Sequence, residues 1–440
     1  MAFPPITPLT TTPAAHPLGI KWTSTISVPY LRQVSGGATW NEVEWCEVEP
    51  RQGRWDWHGV DNAVQQARAL GYTMMLKIRI GTCWITGGTP TYTRSGNGNT
   101  ESRMPKSLSA YQDFVHAVVS RYAPMGVHEY AIENEPNAAN FWAGTVDELL
   151  TLTRTAVGAI RGTDPRAQVA SWGIASEPVG VGVISRLVDE GDVAQAIATY
   201  DAYFAHRGTY PRVTSGTELR HYLSTPRPRL GLELLQAEQQ LLAQHVFDVR
   251  QVHFYESWQA VPALMSYLRA TTPHSVPIEV WEAGQLWLNH PTSNDRVRSD
   301  QAIKTIVLML AGGASRIVWL PLAFPRHGTE YRFGLLAPGP EPRVAADAYR
   351  RLVRWTSDLS RPPVAAPGWR GAAFPHGSAT WLVVWNDHGA TVNRPTGTTV
   401  NVTDLSGHRV SWASSGLRVG PDPLFVKIDA RPSRALAMFE

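Results

Sequence analysis

Two short strings place carboxylates where an apolar run ends: Ile132-Glu133-Asn134-Glu135-Pro136-Asn137 and Val280-Trp281-Glu282-Ala283-Gly284. Each run reads as a buried strand, and each Glu falls where strand gives way to loop. In an α/β barrel that edge is where catalysis sits. Two carboxylates facing one cleft suffice to break a glycosidic bond, one protonating the leaving oxygen and the other attacking the anomeric carbon. A Glu at a strand end is more often solvated or paired with a nearby Lys or Arg. Its neighbours shift the balance here, Asn134 and Pro136 around the first Glu and Trp281 and Gly284 around the second.

The elements that must position these residues alternate along the chain. Strand-like runs fall at 18–24, 39–43, 73–80, 128–133, 168–173, 249–255, 278–281 and 316–320, with helical spacing at 59–70, 108–122, 147–161, 261–271 and 300–310 between them. Eight strands separated mostly by helices predict an α/β protein, a (β/α)8 TIM barrel over residues 18–356. Beyond the helical run 344–355 the character changes to short alternating segments such as Trp381-Leu382-Val383-Val384-Trp385, so residues 357–440 read as a small antiparallel β-sandwich. Residues 1–17, rich in Pro and Thr, form an extension that could pack on the sandwich; no charged segment precedes an apolar one there, so they are no signal peptide as they stand. A secreted and a cytoplasmic location both stay open.

Composition narrows the function classes. The net charge of +3 and the lack of any Lys/Arg block argue against nucleic acid, and no apolar stretch reaches the length of a membrane span. Cys46 and Cys83 fit no metal spacing and are expected as two free thiols, although they would lie beyond neighbouring strands. Gly180-Val181-Gly182 is only part of a dinucleotide fingerprint. No cofactor and no metal site are expected. The 17 Trp are many for 440 residues, and indole faces suit the C–H faces of sugars as well as they suit a core.

In this order and spacing the chain resembles the retaining glycoside hydrolases of clan A, most closely families 39 and 5. The resemblance rests on Trp45, Glu49-Pro50, Gly53 and Trp55-Asp56-Trp57 after the second strand, Arg121-Tyr122-Ala123 before the fourth, Asn134-Glu135-Pro136-Asn137, His253-Phe254-Tyr255, Trp281-Glu282-Ala283-Gly284 and Trp319. It implies an oligosaccharide or polysaccharide substrate, Glu135 as acid/base with a raised pKa, Glu282 as an ionised nucleophile, and Asn134 on the sugar 2-hydroxyl. Tyr255 would then donate to Glu282, Trp319 would stack under the sugar, and His253, Trp281, Trp142 and Arg79 are further candidates for substrate contact. A transglycosylase of the same fold and a non-catalytic carbohydrate-binding barrel are the alternatives, and the oligomeric state is open.

Three finer expectations follow. Glu133, Lys77 and Arg79 form a supporting ion network, and because the second strand lacks the Arg that clan members use to hold the nucleophile's charge, Arg79 is expected to substitute. Glu279, of opposite parity to Glu282, should face the helices. The 75 residues from Ile174 to Asp248, with helix-like runs at 193–205 and 232–244, are expected to wall one side of the cleft.

Overall fold

The computed structural model describes the chain except for residues 1–15, 23–27, 93–99, 286–294, 321–333, 337–341, 358, 360, 367–369, 394–396 and 440. The expected extension therefore falls almost wholly outside the described residues, as does Trp369.

The order of elements is β1 (Leu18–Ile20), α1 (Val28–Gln33), β2 (Ala38–Glu44), α2 (Trp45–Val48), α3 (His58–Ala69), β3 (Thr73–Arg79), α4 (Leu108–Tyr122), β4 (Glu129–Ile132), α5 (Val146–Thr163) and β5 (Gln168–Ala170). There follow α6 (Ser176–Asp189), α7 (Val193–Phe204), α8 (Gly216–Leu223), α9 (Pro226–Ala243), β6 (Arg250–Phe254), α10 (Val261–Ala270), β7 (Ile278–Ala283), α11 (Asp295–Ala311), β8 (Ala314–Trp319) and α12 (Val344–Thr356). The eight strands make two parallel four-stranded sheets, β2-β3-β4-β5 and β1-β8-β7-β6. Parallel bridges Ala170↔Val249 and Ile174↔Val252 join the two on one side. On the other, the backbones of Gly19 and Ala38 approach so closely that a Cβ on Gly19 would meet the Ala38 carbonyl oxygen at 2.0 Å. One small apolar cluster draws Trp40 from β2, Met75 from β3, Ala131 from β4, Ala170 from β5, Trp281 from β7 and Val318 from β8. The inward side chains of both sheets thus meet, and a much larger cluster packs the outward ones against the helices.

After α12 come β9 (Val364–Ala365), β10 (Arg370–His376), β11 (Ala379–Trp385), β12 (Ala390–Val392), β13 (Val400–Thr403), β14 (Leu417–Val419), β15 (Leu424–Ile428) and α13 (Pro432–Ala437). They form a five-stranded antiparallel sheet, β13-β15-β11-β10-β9, and a two-stranded one, β12-β14. This unit packs on the strand-and-helix part through Trp385, which meets Trp258 edge-on at 5.8 Å with the Lys304 ammonium 4.7 Å from the Trp258 ring. Trp385 is fully buried there and Trp381 stacks on His376 at 3.6 Å, so both rings serve packing.

The motifs shared with the glycosidase families build turns and clasps. Glu49 accepts from the Trp45 indole and from Gly53 N–H, both at 2.6 Å, fixing the chain after β2. Arg121 and Tyr122 on α4 both donate to Asp61 on α3, at 2.8 and 3.0 Å. Gly180 and Gly182 lie within α6, where a Cβ would strike Tyr203 and Tyr267, so these glycines serve helix packing.

Three expectations are corrected. Cys46 and Cys83 are joined in a disulfide rather than free, because neighbouring strand ends bring their Cα atoms to 5.7 Å, within bridging distance. The 174–248 segment contains α6, a crossover helix whose small-residue run hid it in the sequence. Glu279 faces inward: its carboxylate accepts from Trp281 Nε1 at 2.8 Å and from Arg316 at 2.9 Å. The register of β7 slips against β6 and β8 around Trp281, which breaks the two-residue alternation between Glu279 and Glu282. Among the described residues no helix is long and apolar enough to cross a membrane.

Candidate active site

At the C-terminal ends of the parallel strands, Lys77 from β3 gathers the candidate residues. Its ammonium donates to Glu282 Oε1 and to Asn134 Oδ1 at 2.7 Å, and lies 3.3 Å from His253 Nε2. An ammonium has three N–H donors and no lone pair. The other nitrogen of the His253 ring, Nδ1, reaches Glu135 Oε1 at 2.8 Å and lies 3.5 Å from Glu282 Oε2. The other face of the arrangement is the Trp40 ring, 3.8 Å from the Lys77 nitrogen and held by its own indole N–H on the Trp281 carbonyl at 2.7 Å. Gly173 has φ +66°, and a Cβ there would lie 2.5 Å from His253 Nε2, so only glycine leaves room for the imidazole.

Tyr255 donates its hydroxyl to Glu282 Oε2. Burial, then Glu282 and Glu135, keep the phenol well above its ordinary pKa, so it remains a donor. Burial pushes the Glu282 carboxyl up, yet the His253 ring, the Lys77 ammonium and the Tyr255 hydroxyl together hold it below the usual carboxylate value. One carboxylate oxygen of Glu135 and one of Glu282 lie within 4.8 Å of each other. Such a pair can hold one anionic and one proton-bearing carboxyl across a sugar's anomeric centre. Glu135, His253 and Glu282 also have the donor set for a cation, but the Lys77 ammonium already lies against Glu282.

Lys21, at the end of β1, donates to the Trp40 carbonyl at 2.7 Å and to Asn41 Oδ1 at 3.2 Å and lies 4.4 Å from the Trp40 ring. Burial, partly offset by Glu42, lowers its pKa to about 8.

The structure thus brings together Asn134, Glu135, His253, Tyr255 and Glu282. Lys77, expected only as a partner of Glu133, is the residue that holds Glu282, the task expected of Arg79. Its position two residues earlier on β3 sets it beside the end of β7, whereas Arg79 reaches outward to Glu44 at 2.7 Å, the Thr100 carbonyl at 2.9 Å and Glu133 at 3.8 Å. Three other candidates stand apart from the cluster. Trp281 fills the central apolar cluster beneath Glu282. Trp319 is 1% exposed and packs in the outer cluster between strands and helices. Trp142 donates to the Thr145 carbonyl at 3.1 Å and packs over Gly144. Trp40 and Lys21 escaped the sequence reading; inward parity on β2, which puts Trp40 in the inner cluster with Met75, was the signal that could have found the first.

The 174–248 segment meets this site at the ends of β5 and β6. Ser176 Oγ donates to the His253 carbonyl at 3.2 Å and accepts from Tyr255 N–H at 2.9 Å. The next residues are clasped from α7–α9 and their connections, Glu256 by Arg207 and Glu177 by Arg227. Glu256, in the loop after β6, is accordingly a buried ion-pair partner.

No family model matches the chain, and no curated protein matches it in sequence. Solved structures do match in shape. A family 39 glycoside hydrolase from the gut symbiont Bacteroides cellulosilyticus WH2 is 12% identical with a TM-score of 0.62, covering 94% of this chain and 81% of its own. A family 39 β-xylosidase from Caulobacter crescentus is 13% identical with a TM-score of 0.56, covering 97% and 98%. A glucosidase from Croceicoccus marinus is 10% identical with a TM-score of 0.56, covering 97% and 96%. At such identities the likeness is one of architecture, and it is nearly complete: the chain shares the fold of the family 39 glycoside hydrolases.

Proposed function

We propose that this chain is a retaining β-glycoside hydrolase working by double displacement, with Glu282 as nucleophile and Glu135 as acid/base. The eight parallel strands would close as a (β/α)8 barrel over residues 18–356, with residues 357–440 as an appended β-sandwich. The meeting of inward side chains from both sheets in one cluster supports closure. The observation that carries the functional reading is the unequal treatment of two neighbouring carboxylates: Glu282 takes the Lys77 ammonium and the Tyr255 hydroxyl, while Glu135 pairs with His253 Nδ1. In the first step a Glu282 oxygen would form a bond to the anomeric carbon as the C–O bond to the leaving group breaks and Glu135 passes its proton to that oxygen. In the second, Glu135 would take a proton from water as the water oxygen displaces Glu282. The closest oxygens of the two carboxyls lie within 4.8 Å, which supports the nearer spacing of a retaining pair. Asn134, fixed by Lys77, is placed to meet the sugar hydroxyl beside the anomeric carbon. The names of the matching structures favour β-xylosides and β-glucosides as first substrates, and the helices after α6 would wall the cleft beside β6.

The test uses aryl β-xylosides and β-glucosides. Glu282→Gly should abolish turnover and, with added azide, release glycosyl azide of inverted configuration. Glu135→Ala should keep the first step with good leaving groups and give azide of retained configuration. Near-normal activity in both variants would overturn the assignment.

A further inference from the structure

The backbone entering the site is bent in a way that few side chains tolerate. Glu133 and Glu135 have φ of 61° and 42°, two of only three non-glycine residues with positive φ among the described residues, and they flank Asn134. Each such residue costs on the order of 1 kcal/mol and persists only where its surroundings over-determine it. Strand geometry stops at Ile132, so alternation does not aim the next three side chains; this bend does.

What holds the bend is the Glu133 side chain. Its carboxylate is fully buried, accepts from Ile80 N–H at 3.1 Å and faces Arg79 Nε at 3.8 Å, and the Ser102 hydroxyl beside it accepts from the same Ile80 N–H at 3.3 Å and from Gly81 N–H at 3.0 Å. Its own N–H donates to the Ile78 carbonyl at 2.8 Å. Residue 133 is thus tied to the end of β3 by backbone and side chain together, whereas residue 135 has its carbonyl on Ala138 N–H at 2.9 Å, within the same loop, and its carboxylate on His253. Burial, against Arg79 and Ser102, raises Glu133 to about 7. Anchoring such a group here is costly, and the ties to β3 offset the cost.

We propose that Glu133 is a positioning residue for the proposed acid/base: its carboxylate, pinned on the Ile80 N–H that it shares with Ser102, fixes the left-handed turn that aims Glu135 at the leaving-group oxygen. This rests on the glycosidase reading above. Removing the anchor should therefore impair protonation of the leaving group and little else.

The experiment measures kcat/KM for a series of aryl glycosides of graded leaving-group pKa in Glu133→Ala, Glu133→Gln and Ser102→Ala. A misplaced general acid loses roughly 10- to 100-fold. Glu133→Ala should lose about that factor with the poorest leaving groups and less than about threefold with the best, steepening the leaving-group dependence. Glu133→Gln keeps an oxygen acceptor for Ile80 N–H and should stay within about threefold of the parent throughout. Ser102→Ala should show the same steepening in smaller degree, and supplies the answer if Glu133→Ala does not fold. A uniform loss across the series, or no change in slope in either the Ala variant or Ser102→Ala, would overturn the proposal. Glu135→Ala, run alongside, separates the two readings: if it too lacks leaving-group selectivity, the acid/base assignment fails; if it alone shows selectivity, only the role of Glu133 fails.

Discussion

Two buried ionic clusters occupy opposite ends of the parallel strands, and each combines one cation with two neighbouring carboxyl groups. At the N-terminal ends, Arg316 on β8 donates to Glu129 on β4 at 2.5 Å and to Glu279 on β7 at 2.9 Å. At the C-terminal ends, Lys77 serves Glu282 while Glu135 stands nearby. The outcomes are opposite. Burial and the charge of Glu129 outweigh Arg316 and push Glu279 up to about 8, so it is mostly protonated at neutral pH. Glu282, equally buried, stays below the ordinary carboxylate value because His253, Lys77 and Tyr255 all favour its anion. Burial alone therefore perturbs a carboxyl without making it useful; with two donors on each, the sign of the neighbouring charges decides. The position agrees, since residues at the C-terminal face of such strands carry chemistry and those at the other end carry stability.

The sharpest break in this comparison is Glu282 against Glu279. Glu282→Gly should lower kcat by about 10⁴-fold or more, as loss of a nucleophile does, while Glu279→Gln, measured with the same aryl glycoside, should stay within about threefold. A large activity loss in the second variant would remove the distinction between the two ends.

Lys77→Met probes the charge itself. Without the ammonium the anionic form of Glu282 loses its strongest support, so its pKa rises and the acidic limb of the kcat/KM profile should move up by about 1 to 3 pH units. A folded variant with an unmoved acidic limb would show that Tyr255 and His253 suffice.

Arg316→Met should act on stability instead. Removing the cation leaves the buried Glu129 carboxylate beside Glu279 without its counter-charge, and breaking a buried pair costs about 3 kcal/mol. Denaturant melts should show that loss with kcat per folded molecule close to the parent's.

The smallest expected effect is a pH dependence. A carboxyl raised to about 8 in the folded state, against an ordinary 4.5 unfolded, keeps its proton longer when folded. Its contribution is full below pH 4.5 and is lost as pH rises to about 8. Glu279→Gln should accordingly gain in Tm relative to the parent as pH rises from 5 to 8; a difference constant over that window would mean Glu279 is ionised in the fold.

Much of this arrangement could be read from residues alone. The α4 boundaries Leu108–Tyr122 follow from helical spacing with Ser107 capping Ala110 N–H at 3.2 Å, and the parallel strands follow from short apolar runs between helices. Asn134, Glu135, His253, Tyr255 and Glu282 converge as strand-end spacing and family likeness implied. Alternation failed where the strand itself is irregular: the slip at Trp281 turned Glu279 inward, and the left-handed turn at Glu133 replaced parity after Ile132.

The sequence by itself determined which segments become strands and helices and which carboxylates end two of those strands, because hydrophobic period and capping are local properties of the chain. Tertiary structure decided the rest. That Lys77 and not Arg79 holds Glu282, that Cys46 meets Cys83, and that Arg207 reaches Glu256 all depend on distances between side chains far apart in the chain. The charge of a buried carboxyl is set by donors converging from several strands, and no single strand encodes that convergence.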